Sequence, residues 1–268
     1  MSELGDRIVE AFTHQAESGF ARADDLLGRW SAMGPLSANE LAGLKSFDSA
    51  FEVRFVYNSN SIEGSTLTLG ETALVLDGEF VPDRPGRDYF AARGSADGMA
   101  YYRKALKEGQ TVSEDLVLNV HERTALDCQP ASRGVYRQYP VYLRGSQVVP
   151  ANWAGVPELM STLFAAYADS SQHPLYKAAA FHAMFEHIHP FGDGNGRTGR
   201  LLLNFMLEQA GYPPIAISAD NRTGYLQAVE LWQVEGDAQP LLSMIGSCVC
   251  DELEARIGCV MDARAKPL

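Results

Sequence analysis

The sequence predicts an all-α fold with a single β-hairpin, and three observations carry that reading. Apolar residues recur at helical spacing through most of the 268 residues. Capping serines, Ser37 and Ser113, stand ahead of two of those runs. One stretch, 134–149, is instead rich in Val and Tyr with loose alternation around a Gly-Ser turn, and Pro150 closes it.

Taken in order, residues 4–31 place Leu4, Ile8, Val9, Phe12, Phe20, Leu26, Leu27 and Trp30 at helical spacing. Ser37-Ala-Asn-Glu40 is a capping box opening a helix to about Tyr57. A polar segment with Gly64 follows at 58–66. A helix is expected over 69–76, ended by Asp77-Gly78, and a longer one over 88–107. Ser113 caps the next, to about Arg123. After the hairpin, helices are expected at 156–168 and 174–187. A glycine-rich loop spans 188–196, and a strongly apolar helix runs on to about Ala210, where Gly211-Tyr-Pro-Pro stops it. Helices at 222–235 and 237–257 complete the chain, and the last ten residues read as a frayed tail.

Composition narrows the function. Acidic residues number 34 against 22 basic, a net charge of -12, which argues against a duplex nucleic-acid binder or an anionic membrane surface. No apolar run approaches a membrane span. The start, Met-Ser-Glu-Leu-Gly-Asp, lacks a basic region before an apolar stretch, so no signal peptide and a cytoplasmic setting are expected. Cys128, Cys248, Cys250 and Cys259 read as reduced thiols.

The chemistry concentrates in His189-Pro-Phe-Gly-Asp-Gly-Asn-Gly-Arg-Thr-Gly-Arg200. Gly194, Asn195 and Gly196 reach positive φ cheaply, so the backbone can turn successive amides inward at a helix start, which is an anion site. Arg197 and Arg200, three apart, share a helix face and converge on that anion. Asp193 offers a hard oxygen suited to Mg²⁺. His189 can titrate near neutrality as a general base. Together these describe phosphoryl or nucleotidyl transfer. His182 and His187, five apart, do not stack as metal ligands and read as helix histidines with local partners.

The loop resembles the Fic family motif, His-x-Phe-x-(Asp/Glu)-Gly-Asn-Gly-Arg-x-x-Arg, with all eight specified positions present at His189, Phe191, Asp193, Gly194, Asn195, Gly196, Arg197 and Arg200. The resemblance implies a Fic-type helical core, residues 85–245, with the hairpin as a flap. Residues 1–84 would be an N-terminal helical region and 246–268 a C-terminal helix and tail. It implies an enzyme moving AMP from ATP to a Tyr, Ser or Thr hydroxyl of a target protein, with release of pyrophosphate. His189 would be the base and Asp193 the ligand of Mg²⁺ or Mn²⁺. Asn195 with Gly194 and Gly196 would cradle the phosphates, Arg197 and Arg200 would clamp them, and Phe191 would anchor the loop. Tyr225 is a candidate adenine neighbour. Val234, where the family often has Asn, leaves nucleotide choice open. Gly196 favours AMP transfer over a kinase variant that carries Lys there.

Upstream, Ser59-Asn-Ser-Ile-Glu63-Gly64 resembles the family's inhibitory motif, in which the Glu pairs with the second motif arginine, here Arg200. The resemblance thus implies autoinhibition in cis, and a homodimer that tunes it. Two alternatives stand beside this reading. The same residues could remove AMP, with Glu63 orienting water, or the site could sense nucleotide with little turnover. The target would dock on the flap, which adds a strand without demanding its sequence.

Overall fold

The computed structural model describes residues 2–13 and 19–265. Among them lie eleven α-helices, three short 3₁₀ turns and no strand. The helices are α1 (Glu3–Thr13), α2 (Ala21–Ser31), α3 (Ala38–Ile62), α4 (Leu69–Leu76), α5 (Gly86–Lys107) and α6 (Glu114–Thr124). They continue with α7 (Val156–Asp169), α8 (Pro174–Ile188), α9 (Asn195–Gln209), α10 (Arg222–Glu235) and α11 (Gln239–Ala265).

At the centre stands α9, which is buried on every side from Thr198 to Leu207, the pattern of a helix enclosed by others. It lies against α8 on one side and α5 and α6 on another. The α5–α6 approach is close because Gly94 and Gly98 lack side chains. A Cβ at Gly94 would strike the Thr124 carbonyl, and one at Gly98 the Thr124 hydroxyl. This packing brings the end of α6, and the residues just after it, to the start of α9. The long α3 crosses α11 and α5 and delivers its C-terminal end to the same place.

Local signals explain the helix starts. The Ser37–Glu40 capping box forms at α3 as expected, and Ser113 caps α6 by accepting from the Leu116 amide at 3.3 Å. A second box, Thr68–Glu71, opens α4.

Three expectations need correction. The segment 58–62 is helical, not an irregular polar stretch. Asn58 and Asn60 donate back to the carbonyls of Arg54 and Val56, both at 2.8 Å, so their amides support the helix they would otherwise leave. Residues 259–265 are not frayed: Arg264 reaches Glu40 and the Met33 carbonyl and ties down the end of α11. Residues 14–18, inside the expected 4–31 helix, and 266–268 lie outside the described residues.

The third correction is the hairpin. The turn falls where expected, with Gly145 at φ +76°, yet its limbs pair with no ladder. Pro140 and Pro150 remove donors, and isolated two-stranded hairpins are marginal. The backbone groups go elsewhere instead. The Gln147 amide donates to Glu230 on α10 at 2.8 Å, and the Arg137 amide to the Pro190 carbonyl at 2.9 Å. No described helix is long and apolar enough to cross a membrane.

Candidate active site

The loop between α8 and α9 begins with strain. His189 caps α8 at φ +52°, ψ +62°, a left-handed conformation that costs a non-glycine residue about 1–2 kcal/mol. Gly194, the N-cap of α9, holds φ +78°, and a Cβ there would meet His121 Nε2 and Ala125. Between them the loop is closed by a reciprocal pair. The Phe191 amide donates to Asn195 Oδ1, and Asn195 Nδ2 donates to the Phe191 carbonyl, both at 2.9 Å. The Phe191 ring is fully buried and stacks on His121 at 3.6 Å between centroids. Truncation of such a ring costs about 3–5 kcal/mol.

His121 was not singled out in the sequence. Its Nδ1 accepts from the Gly134 amide at 2.9 Å, which leaves the proton on Nε2 to donate to the Asp193 carbonyl at 3.0 Å. The ring therefore joins the start of the 134–149 segment to the loop. Burial pushes its pKa down to about 4, which keeps it neutral in this role.

Two charge clusters flank the start of α9. In the first, Arg197 is 2% exposed and donates from Nη1 to Asp127 Oδ1 at 2.7 Å. Arg87 bridges Asp127, at 3.1 Å, to Asp193, at 2.9 Å. Burial raises the Asp127 carboxyl, but Arg197 and Arg87 outweigh it and hold it below its ordinary value. Asp193 is 54% exposed, with Oδ1 accepting from the Gly194 amide at 2.6 Å. Arg197 Nε is buried with no partner among the described residues.

The second cluster centres on Arg200, 3% exposed. Its Nε donates to Ser59 Oγ at 2.9 Å, and its Nη2 to the Ser59 carbonyl at 2.9 Å and to Glu63 Oε1 at 2.7 Å. Glu63 follows the last residue of α3, where Gly64 turns the chain at φ +91°. Arg222 caps that helix end by donating to the Ile62 carbonyl at 2.6 Å. Burial alone would raise the Glu63 carboxyl; Arg200 first, then Arg197 and Arg222, pull it below its ordinary value. The carboxylate stands directly over Gly196, so any Cβ there would collide with Oε1.

Below Arg200 lies Tyr225, buried, its ring 5.8 Å from the guanidinium carbon and its hydroxyl 2.7 Å from His182 Nε2. The structure thus places Tyr225 under Arg200, and gives His182 the local partner expected of it. Glu186, against Gly199, has its carboxyl pushed up to about 8 by burial, and Oε1 has no partner among the described residues.

His189 makes no hydrogen bond to either cluster among the described residues; its Nδ1 lies 3.4 Å from the Glu186 carbonyl. Burial moves it down to about 4, with the Arg137 charge adding to the shift. The expected titration near neutrality is therefore corrected: His189 is neutral at pH 7, the form that accepts a proton. Val234 lies beside a separate cavity of about 590 Å³, lined by Arg7, Tyr176, Met184, Trp232 and Asp237 among others.

All the loop residues expected to act together are thus gathered at one helix start, with Ser59, Glu63 and Gly64 opposite them. Sequence reasoning missed Arg87, Asp127, His121, Arg137, Glu186 and Arg222. None lies in a spaced motif, and each earns its place only through tertiary contact.

Residues 111–207 match the model of the Fic/DOC family. The chain is 32% identical over 249 residues to a protein adenylyltransferase Fic from Culex quinquefasciatus, covering 90% of this chain and 48% of that protein. It is 34% identical over 212 residues to one from Drosophila grimshawi, covering 77% and 43%. The chain therefore spans about half the length of the curated relatives it matches. Among solved structures, a Fic domain containing signaling protein from Bacteroides thetaiotaomicron superposes with a TM-score of 0.81 at 28% identity, covering 90% of this chain and 97% of that one. A Fic-1 fragment from C. elegans gives a TM-score of 0.79 at 25% identity, covering 90% and 71%. Residues 111–207 form a Fic/DOC family domain, and the chain is a Fic domain protein.

Proposed function

We propose that this chain is an autoinhibited protein adenylyltransferase that transfers AMP from ATP to a hydroxyl side chain of a target protein. One observation carries the reading. The Glu63 carboxylate rests on Arg200 over Gly196, in the position an anionic phosphate would take at the start of α9.

The residues fit ATP and a divalent metal. Arg197 Nε is an unused buried donor, and the first amides of α9 have no partner within the helix. Asp127 and Cys128 lie near Asp193, but Asp127 is held by two arginines and burial raises the Cys128 thiol to about 11. Asp193, more than half exposed and paired with the exposed Arg87, is therefore the most available hard ligand of the three, which suits Mg²⁺ or Mn²⁺ shared with substrate phosphates. When bound, such a metal would neutralise phosphate charge.

In this reading His189 takes the proton from the target hydroxyl as its oxygen attacks the α phosphorus. The α–β phosphoanhydride bond breaks and pyrophosphate leaves. Gly194, Asn195 and Gly196 shape the cradle, Arg197 and Arg200 hold the outer phosphates, and Ser59 steers Arg200. Tyr225 supports Arg200 from below. The target lies along the flap, where Tyr142 and Val149 are exposed and the limbs pair in no ladder of their own, which favours an added strand.

AMP removal is a second reading, favoured by one feature: Glu63 is 42% exposed and held ionised, so it can also orient water. The two readings part on Glu63→Gly, which raises transfer but abolishes removal. The direct experiment is incubation of Glu63→Gly with labelled ATP, Mg²⁺ and cell proteins. Transfer predicts pyrophosphate release and a mass gain of one AMP on protein, both lost in a Glu63→Gly/His189→Ala chain. Nucleotide binding without either product would instead mark a sensor.

A further inference from the structure

Arg137 is a buried cation with an unusual set of partners. It is 4% exposed, and no carboxylate pairs with it among the described residues. Its guanidinium serves carbonyls instead. Nε donates to His189 at 2.8 Å and Nη1 to Tyr139 at 2.9 Å, while Nη2 donates to Ala151 and, at 3.4 Å, to Ile188. Its backbone amide donates to the Pro190 carbonyl at 2.9 Å.

The geography of those carbonyls matters. Ile188 and His189 are the negative end of the α8 dipole, which compensates a buried positive charge. Tyr139 lies on the first limb of the flap and Ala151 just past the end of the second. His189 itself is in the left-handed region, and its backbone persists there only if its surroundings hold it. The flap has no ladder of its own, so the bonds across its base run through this side chain.

We propose that Arg137 is a positioning residue whose one planar fork fixes both the left-handed turn carrying His189 and the two limbs of the flap. The meaning for catalysis rests on the adenylyltransferase reading; the clamp itself does not. Attacking hydroxyl and base must meet in one geometry, and Arg137 ties the segment that would hold the first to the residue that would be the second. Lysine cannot replace it, because an ammonium is a point charge that cannot span carbonyls on three segments.

The test is Arg137→Lys. In the Glu63→Gly background, kcat for AMP transfer to protein should fall about 10–100-fold. KM for ATP should change less than about twofold, because the phosphate contacts lie on α9. Turnover is expressed per ATP-binding site, so partial unfolding drops out. Hydrogen exchange gives a readout that needs no activity. Peptides 134–151 and 186–192 should both exchange faster in Arg137→Lys, while 198–207 stays protected. Full turnover in Arg137→Lys, a parallel loss of kcat and ATP affinity, wild-type protection of either peptide, or global unfolding would each overturn the proposal. If Glu63→Gly transfers no AMP at all, the functional reading fails alone, and the exchange result still decides the clamp.

Discussion

Glu63 Oε1 accepts a hydrogen bond from Arg200 Nη2 at 2.7 Å while standing over Gly196, so one carboxylate meets both a buried guanidinium and the start of α9. The guanidinium is nearly buried and the carboxylate is 42% exposed, which makes the pair asymmetric. Loss of the carboxylate leaves Arg200 with Ser59; loss of Arg200 leaves Glu63 to water.

The pair predicts a pH dependence. Glu63 has its folded pKa held below the ordinary glutamate value, and the unfolded chain titrates near about 4.3. A depressed value contributes stability above the unfolded pKa and loses it as pH falls through the folded one. Glu63→Gln should therefore lower the unfolding free energy read from urea titration at pH 7, by about 1 kcal/mol after allowance for exposure. The gap should close as pH falls below about 4. A gap that widens toward acid would contradict the pairing.

Glu186 runs the other way. Burial, with Glu63 adding and Arg200 opposing, raises its carboxyl to about 8, so it is protonated at pH 7. A raised acid value means stability is lost as pH climbs from the unfolded value toward the folded one. Glu186→Gln removes a group that must ionise. Its urea midpoint should match wild type near pH 4 and exceed it at pH 9. An equal deficit at both pH values would mean that the carboxyl makes a bond the structure does not show.

Divalent metal should be required through Asp193. EDTA should abolish AMP transfer, and Asp193→Ala should cost about 100-fold or more. Arg87 donates to Asp193 Oδ2 at 2.9 Å and so competes with a cation. Arg87→Ala should lower the Mg²⁺ concentration for half-maximal rate. An unchanged rate in EDTA, or full activity in Asp193→Ala, would remove the metal assignment.

His189 should act as a base already deprotonated at neutral pH. His189→Ala should reduce transfer about 10²–10⁴-fold and leave ATP affinity intact. With the pKa down to about 4, the rate should stay flat from pH 6 to 8 and fall only in acid. A rate that climbs with a midpoint near 6.5 would show an imidazole in water, not the half-buried ring seen here.

Much of this was legible in the sequence because the signals are local. Ser37 and Glu40 cap within one turn, the apolar positions of α8 and α9 repeat every few residues, and the loop 189–200 is contiguous. The expected hairpin does not form: Val and Tyr alternation reports a half-buried extended chain, not its partner. Here the partners are an arginine and two other elements. The helix at 58–62 was missed because Asn and Ser disfavour helix interiors until their side chains find backbone partners. Asp127, Arg87 and Arg137 carry no periodicity, and only folding brings them to the loop.

In the proposed function, Glu63 holds closed a site otherwise ready to act. The most direct measurement is AMP incorporation by wild type, Glu63→Gly, Arg200→Ala and the double variant, under labelled ATP and Mg²⁺ with the same protein targets. Glu63→Gly should exceed wild type by about 100-fold, the scale set by misaligned in-line attack. Arg200→Ala should be inactive with or without Glu63, because it removes the clamp that Glu63 occupies. A Glu63→Gly chain no more active than wild type, or an Arg200→Ala chain that Glu63→Gly restores, would contradict the account.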